Sequence, residues 1–88
     1  MDEYIEKFSF GDALNILKRG GSVTRKGWNA GGQYLTLQVP DAHSKMTLPY
    51  IYLNTGPNNR ASPYARVPWL ASQGDMLAED WIVYEEAK

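Results

Sequence analysis

Two short stretches of strict alternation set the problem this chain must solve. From Gln33 to Val39, Leu35, Leu37 and Val39 fall on one side and Tyr34, Thr36 and Gln38 on the other. From Pro49 to Asn54 the pattern returns, with Ile51 and Leu53 opposed to Tyr50 and Tyr52. A period of two marks a strand that buries one face. Two such strands need a cover for the apolar side. Residues 8–20 supply it, because Phe10, Ala13, Leu14 and Leu17 share one face of a helix. Ser9 is placed to cap that helix, with Asp12 as a carboxylate version of the capping box. Lys18 and Arg19 suit the negative end of the helix dipole, and Gly20-Gly21 stops the helix.

The remaining segments complete a small sheet. Residues 22–28 read as a short strand and Asn29–Gly32 as a turn. Residues 40–48 form a polar connection, and Thr55 to Pro63 a loop rich in Gly, Pro and Asn. Ala65–Val67 is a fourth strand pattern. Ser72 and Asp75 repeat the cap spacing, which puts Met76, Leu77 and Ala78 in a short helix before a last strand over residues 81–84. The expected architecture is α+β: a small antiparallel sheet, an N-terminal helix packed on it, and a short second helix before the final strand. Residues 1–88 make a single domain. A core this size is thin. The chain has no cysteine and one histidine, His43, so disulfides and a two-histidine metal site are excluded. Association of subunits is the remaining common way to stabilise it. Tyr34, Tyr50 and Tyr52 form either a contact surface or a cross-strand tyrosine ladder.

Charge and motif content remove several functions. The net charge of −1 argues against a binder of DNA or RNA polymers. The acid is concentrated at the end, where residues 75–88 carry five Asp or Glu and one Lys. No stretch approaches a membrane span, and the acidic Met1–Lys7 start lacks an apolar signal core, so the expected location is the cytoplasm. Neither a phosphate loop, a dinucleotide fingerprint nor a nucleophile elbow is present. His43 sits in a polar connection with nothing to fix it as a base, and the adjacent Glu79 and Asp80 point to opposite sides of any strand. The expectation is a protein that is not an enzyme and carries no cofactor or metal.

What the chain does carry is a binding kit. It has three tryptophans, and Trp28 and Trp69 sit beside Asn29 and Pro68. An indole is a platform for a purine, worth ~1–3 kcal/mol per stacked base. The helix opening at Ser72 offers backbone N–H groups to a phosphate. Arg25, Lys26, Arg60 and Arg66 are cationic donors, and Asn29, Gln73 and Asp75 suit base edges or ribose hydroxyls. Each has a plain alternative. Trp28 also fits a lid over the first helix and Trp69 a core anchor, while Trp81 reads as core. Ser72 and Asp75 also fit a simple cap.

Two longer runs add a resemblance. Phe10-Gly-Asp-Ala-Leu-Asn-Ile-Leu-Lys-Arg-Gly20 leads into Val23-Thr-Arg-Lys-Gly-Trp-Asn29, and Val67-Pro-Trp-Leu-Ala-Ser-Gln-Gly-Asp-Met-Leu-Ala-Glu-Asp-Trp81 follows. Together they resemble the Thoeris anti-defence two family of small phage proteins, over residues 8–85. The resemblance implies a sponge. Such proteins hold intact the cyclic ADP-ribose isomer made by bacterial TIR-domain enzymes, so that the downstream effector never receives it. It also implies a homotetramer with ligand pockets at subunit boundaries, and in some members a second pocket for cyclic dinucleotides. By position, Trp28 and Asn29 match the first motif, and Trp69, Ser72, Gln73 and Asp75 the second; Arg25 is the neighbouring candidate for the pyrophosphate. Gly74 stands where such sequences often have Thr, and Pro68 where Gly is common. The alternative is an interaction module that blocks a host defence protein directly through Tyr34, Tyr50 and Tyr52.

Overall fold

The computed structural model describes residues 6–28 and 31–85. Helix α1 runs Phe10–Lys18, followed by strands β1 (Val23–Arg25), β2 (Tyr34–Gln38), β3 (Tyr50–Asn54) and β4 (Arg66–Pro68). Helix α2 (Gln73–Leu77) and strand β5 (Trp81–Val83) complete the chain. The α+β expectation holds. All pairings are antiparallel, in the order β4-β3-β2-β1-β5. Strand β5 therefore crosses back to pair with β1, matching Arg25 with Trp81 and Val23 with Val83.

Local chemistry sets the element ends. Ser9 caps α1 by accepting from the Asp12 amide at 3.3 Å. At the other end Gly20 takes a positive φ of 95°, donating to the Leu17 carbonyl while Gly21 donates to that of Ile16. This double bond pattern closes the helix and needs a residue tolerant of left-handed backbone. The helix is shorter than its pattern. Phe8 instead bridges Trp81 in both directions, at 2.9 and 3.2 Å, and so caps the outer edge of β5. On the opposite edge of the sheet, β4 ends at Pro68, which has no N–H to offer.

Helix α1 covers the sheet face that carries Val23, Leu35 and Trp81. With Ala13 and Leu17 these form the core, and all five are essentially inaccessible. Leu37, Ile51 and Leu53 pack on it from the same face. The alternation fails at Val39, which is 64% exposed. Strand β2 has ended at Gln38 and nothing covers the next residue. The 22–28 strand is also shorter than its pattern, because residues 26–28 turn away after Arg25. Ala78 is the C-cap of α2 rather than part of it.

On the far sheet face the tyrosine-ladder expectation does not hold. Tyr34 lies opposite Asn54, Thr36 opposite Tyr52, and Gln38 opposite Tyr50, so the three tyrosines do not form a direct ladder. Tyr34 stacks instead on Tyr84, with ring centroids 4.1 Å apart and planes within 8°. Among the described residues no helix is long and apolar enough to cross a membrane.

Candidate functional site

Three of the residues singled out from sequence, Arg25, Trp28 and Ser72, meet at one buried carboxylate, that of Asp75. Asp75 is the third residue of α2, and its Oδ2 accepts from both the Ser72 amide (3.1 Å) and the Ser72 hydroxyl (2.9 Å). Ser72 Oγ in turn accepts from the Asp75 amide at 3.1 Å, completing a reciprocal capping box. Asp75 Oδ1 accepts from Arg25 Nη1 at 2.9 Å and from the Trp28 indole N–H at 3.3 Å. One side chain thus ties α2 to β1 and to the turn that follows it.

Arg25 is held by a second carboxylate. Its Nε donates to Asp80 Oδ1 at 2.8 Å. The hydrogen bond Arg25 donates to Asp80, opposed by burial and joined by the one it donates to Asp75, raises its already high pKa. Burial pushes the Asp75 carboxyl up, but the bonds from Ser72, Arg25 and Trp28 outweigh it and hold it below its ordinary 3.8. Asp80 is likewise held down by Arg25 and the Gly27 amide against its own burial. Two carboxylates on one guanidinium leave a local excess of negative charge. Arg25 is therefore a strut between α2, β1 and β5 as well as a cation.

The indoles gather on the same side. Trp81 sits at the centre, fully buried. Trp28 meets it edge-on at 5.5 Å and Trp69 at 6.2 Å; the two outer rings are 6.5 Å apart. Phe10 of α1 closes the group, 5.5 Å from Trp81 and 6.2 Å from Trp69. Trp28 and Trp69 are half-buried, each with one side against the core and the rest reaching the surface. They combine the lid and anchor readings with a remaining accessible edge. Gln73 is exposed on the first turn of α2, and Asn29 lies outside the described residues. Beside this cluster Leu70 and Leu77 are 91% and 78% exposed.

A second grouping brings Tyr34 and Arg66 together with residues the sequence does not single out. An open cleft of about 790 Å³ is lined by Tyr34, Tyr84, Tyr64, Asn54, Thr55 and Arg66. Another, of about 630 Å³, lies beside the same Tyr34–Tyr84 pair, next to Ser22 and Thr36. The wall of the first is built by Thr55. Its hydroxyl accepts from the Ala65 amide and donates to the Ser62 carbonyl, both at 2.6 Å, which closes the intervening loop. A Cβ at Gly56 would run into the Gly31 carbonyl, so only glycine lets the loop lie against the β1–β2 turn. Tyr64 adopts left-handed backbone, φ 57°, at the cleft rim. No local motif announces these contacts, because they depend on which strands become neighbours.

Comparison with known proteins identifies the family. A domain model described as Tad2-like, the Thoeris anti-defense 2-like domain, matches residues 8–84. The chain is similar to the protein named Thoeris anti-defense 2 of Bacillus phage SP01, with 34% identity over 85% of this chain and 92% of that protein. The matched span takes in α1, every strand and the Trp28, Trp69 and Asp75 positions, and the chain belongs to the Thoeris anti-defense 2-like family.

Proposed function

We propose that this anti-defence protein acts as a sponge: it binds the cyclic ADP-ribose isomer made by TIR-domain enzymes and keeps it intact, in the cytoplasm of the infected host. The observation that carries this reading is the convergence of Trp28 and Arg25 on Asp75, with the Trp69 ring 6.5 Å from that of Trp28. Two half-buried indole edges stand beside the opening of α2, where Ser72 and Asp75 fix the first turn. The adenine packs against Trp28 and Trp69, and the Gln73 amide meets the pyrophosphate with Arg25 Nη2, since the Ser72 amide and the Arg25 Nε and Nη1 donors already serve Asp75 and Asp80. Asn29 and Gln73 read the sugar and base edges. Asp75 shapes the site through its bonds to Arg25, Trp28 and Ser72.

Rings that lean on the core lose little freedom when a ligand arrives, which favours retention. Nanomolar holding needs about 12 kcal/mol, within reach of two stacking contacts and several charge-assisted hydrogen bonds. In this reading the site lies at a subunit boundary of a homotetramer. The exposed Leu70 and Leu77 beside it support that placement, since such side chains favour cover by a neighbouring subunit. The Tyr34–Tyr84 cleft is the place for a second ligand, a cyclic dinucleotide: it combines stacked rings with Arg66 and Asn54.

The test is to mix protein with the cyclic ADP-ribose isomer, filter, and heat the retained fraction. Release of unchanged ligand is the expected result. A cleaved or linearised product would identify an enzyme instead, and absence of retention at micromolar protein would end the proposal. Direct blocking of a host protein through the tyrosine face is the other reading. Trp69→Ala separates them, because it removes the sponge and leaves that surface in place.

A further inference from the structure

Asp80 contacts three successive residues of another segment. Its Oδ1 accepts from Arg25 Nε at 2.8 Å, its main-chain carbonyl from the Lys26 amide at 3.1 Å, and its Oδ2 from the Gly27 amide at 2.8 Å. The next residue is Trp28, whose amide closes the turn on the Arg25 carbonyl at 3.2 Å. Strand pairing makes this possible. Arg25 pairs with Trp81, so Asp80 falls beside the turn that leaves β1. Gly27 permits the approach: a Cβ there would lie 2.7 Å from Asp80 Oδ2. That oxygen cannot swing away cheaply, since its carboxylate is already fixed by Arg25.

From this geometry we infer that Asp80 is a positioning residue for ligand capture, clamping the 25–28 turn so that the Trp28 ring is held against Trp81 with one edge presented to the ligand. Asp75 fixes the tip of the indole through its N–H, and Asp80 fixes the backbone that carries it. Arg25 joins the two carboxylates, so α2, β5 and the turn move together or not at all. The inference rests on the sponge reading for its functional part. The clamp itself stands on the contacts alone.

Two variants test it. Asp80→Asn keeps the shape but supplies one acceptor oxygen where two donors point. Gly27→Ala keeps every charge and forces the Asp80 carboxylate off the turn. In both, amide exchange at Lys26, Gly27 and Trp28 should rise by about tenfold or more while the β2–β3 amides stay protected. The near-ultraviolet circular dichroism of the indole cluster should also weaken, reporting a freed Trp28. With the cyclic ADP-ribose isomer as the calorimetric probe, both variants should bind about tenfold or more weakly than the parent.

Unchanged exchange at residues 26–28 in both variants overturns the clamp. Faster exchange with parental affinity overturns the positioning role. If the parent protein itself binds no ligand, the sponge reading fails and the functional part of this inference fails with it. Exchange and dichroism still decide the clamp.

Discussion

The indole N–H of Trp81 donates to the main-chain carbonyl of Asp75 at 3.0 Å inside the core. The Ala78 amide shares that acceptor at 3.4 Å, so the end of a five-residue helix is satisfied by a side chain of the next strand. Trp81 is thus both the largest buried side chain and the hydrogen-bond anchor of α2. Trp81→Phe removes the donor and part of the ring. The expected loss is ~2–4 kcal/mol of stability, combining the lost buried hydrogen bond with a cavity. Urea unfolding measures it; a loss below ~1 kcal/mol would mean that the core closes around the smaller ring.

Acid should weaken the fold through the two carboxylates on Arg25. Both Asp75 and Asp80 have depressed folded values, so their contribution is complete above the unfolded value near 3.8 and is lost as pH falls through the folded ones. Arg25 is raised, so its contribution is complete throughout the acid range and adds no acid dependence. The urea midpoint should therefore fall as the pH drops below the ordinary carboxylate value of 3.8, and Asp80→Asn should flatten that fall. An equally steep decline in the variant would remove Asp80 from the account.

Ser72→Ala deletes both hydroxyl bonds of the capping box, the one Ser72 makes to Asp75 Oδ2 and the one it accepts from the Asp75 amide. A cost of ~0.5–2 kcal/mol follows from cap replacements. The Ser72 amide still reaches Asp75 Oδ2, so Arg25 should keep its partner. Chemical denaturation gives the cost, and the Arg25 Nε proton shift reports whether the ion pair survives.

Ligand retention should separate the two sides of the sheet. Trp69→Ala should abolish capture of the cyclic ADP-ribose isomer. Tyr84→Ala removes the partner of Tyr34, costs ~0.5–1.5 kcal/mol of stacking, and should leave that capture intact. If cyclic dinucleotides occupy the tyrosine cleft, Tyr84→Ala weakens only those. Calorimetry of both variants against both ligand classes decides it, and a shared loss would point to one site instead of two.

The parts of this structure legible in sequence are those fixed by near neighbours. Ser9 and Ser72 caps, the Gly20–Gly21 stop and the alternation through Leu35, Leu37, Ile51 and Leu53 each depend on residues a few positions apart. Trp81 was also recognisable as core from its place in an apolar strand. The contacts that organise the site were not. Arg25 meets Asp80 across 55 positions and Asp75 across 50, and both pairings follow from β5 entering beside β1. The Tyr34–Tyr84 stack has the same origin. Asp80 read as one of two adjacent acids near the end of the chain because nothing local distinguishes a clamp from a solvated carboxylate. Trp28 and Trp69 were ambiguous for a physical reason: a ring that is half core and half rim satisfies both descriptions.

Both flanks of the sheet are closed to strand addition at defined points: Pro68 lacks a donor on one margin and Phe8 occupies the Trp81 backbone on the other. Copies accumulating to high concentration therefore have no ladder to extend there, and fibre growth by edge pairing is discouraged. Any association is left to side-chain surfaces, which favours closed assemblies of fixed size over open ladders.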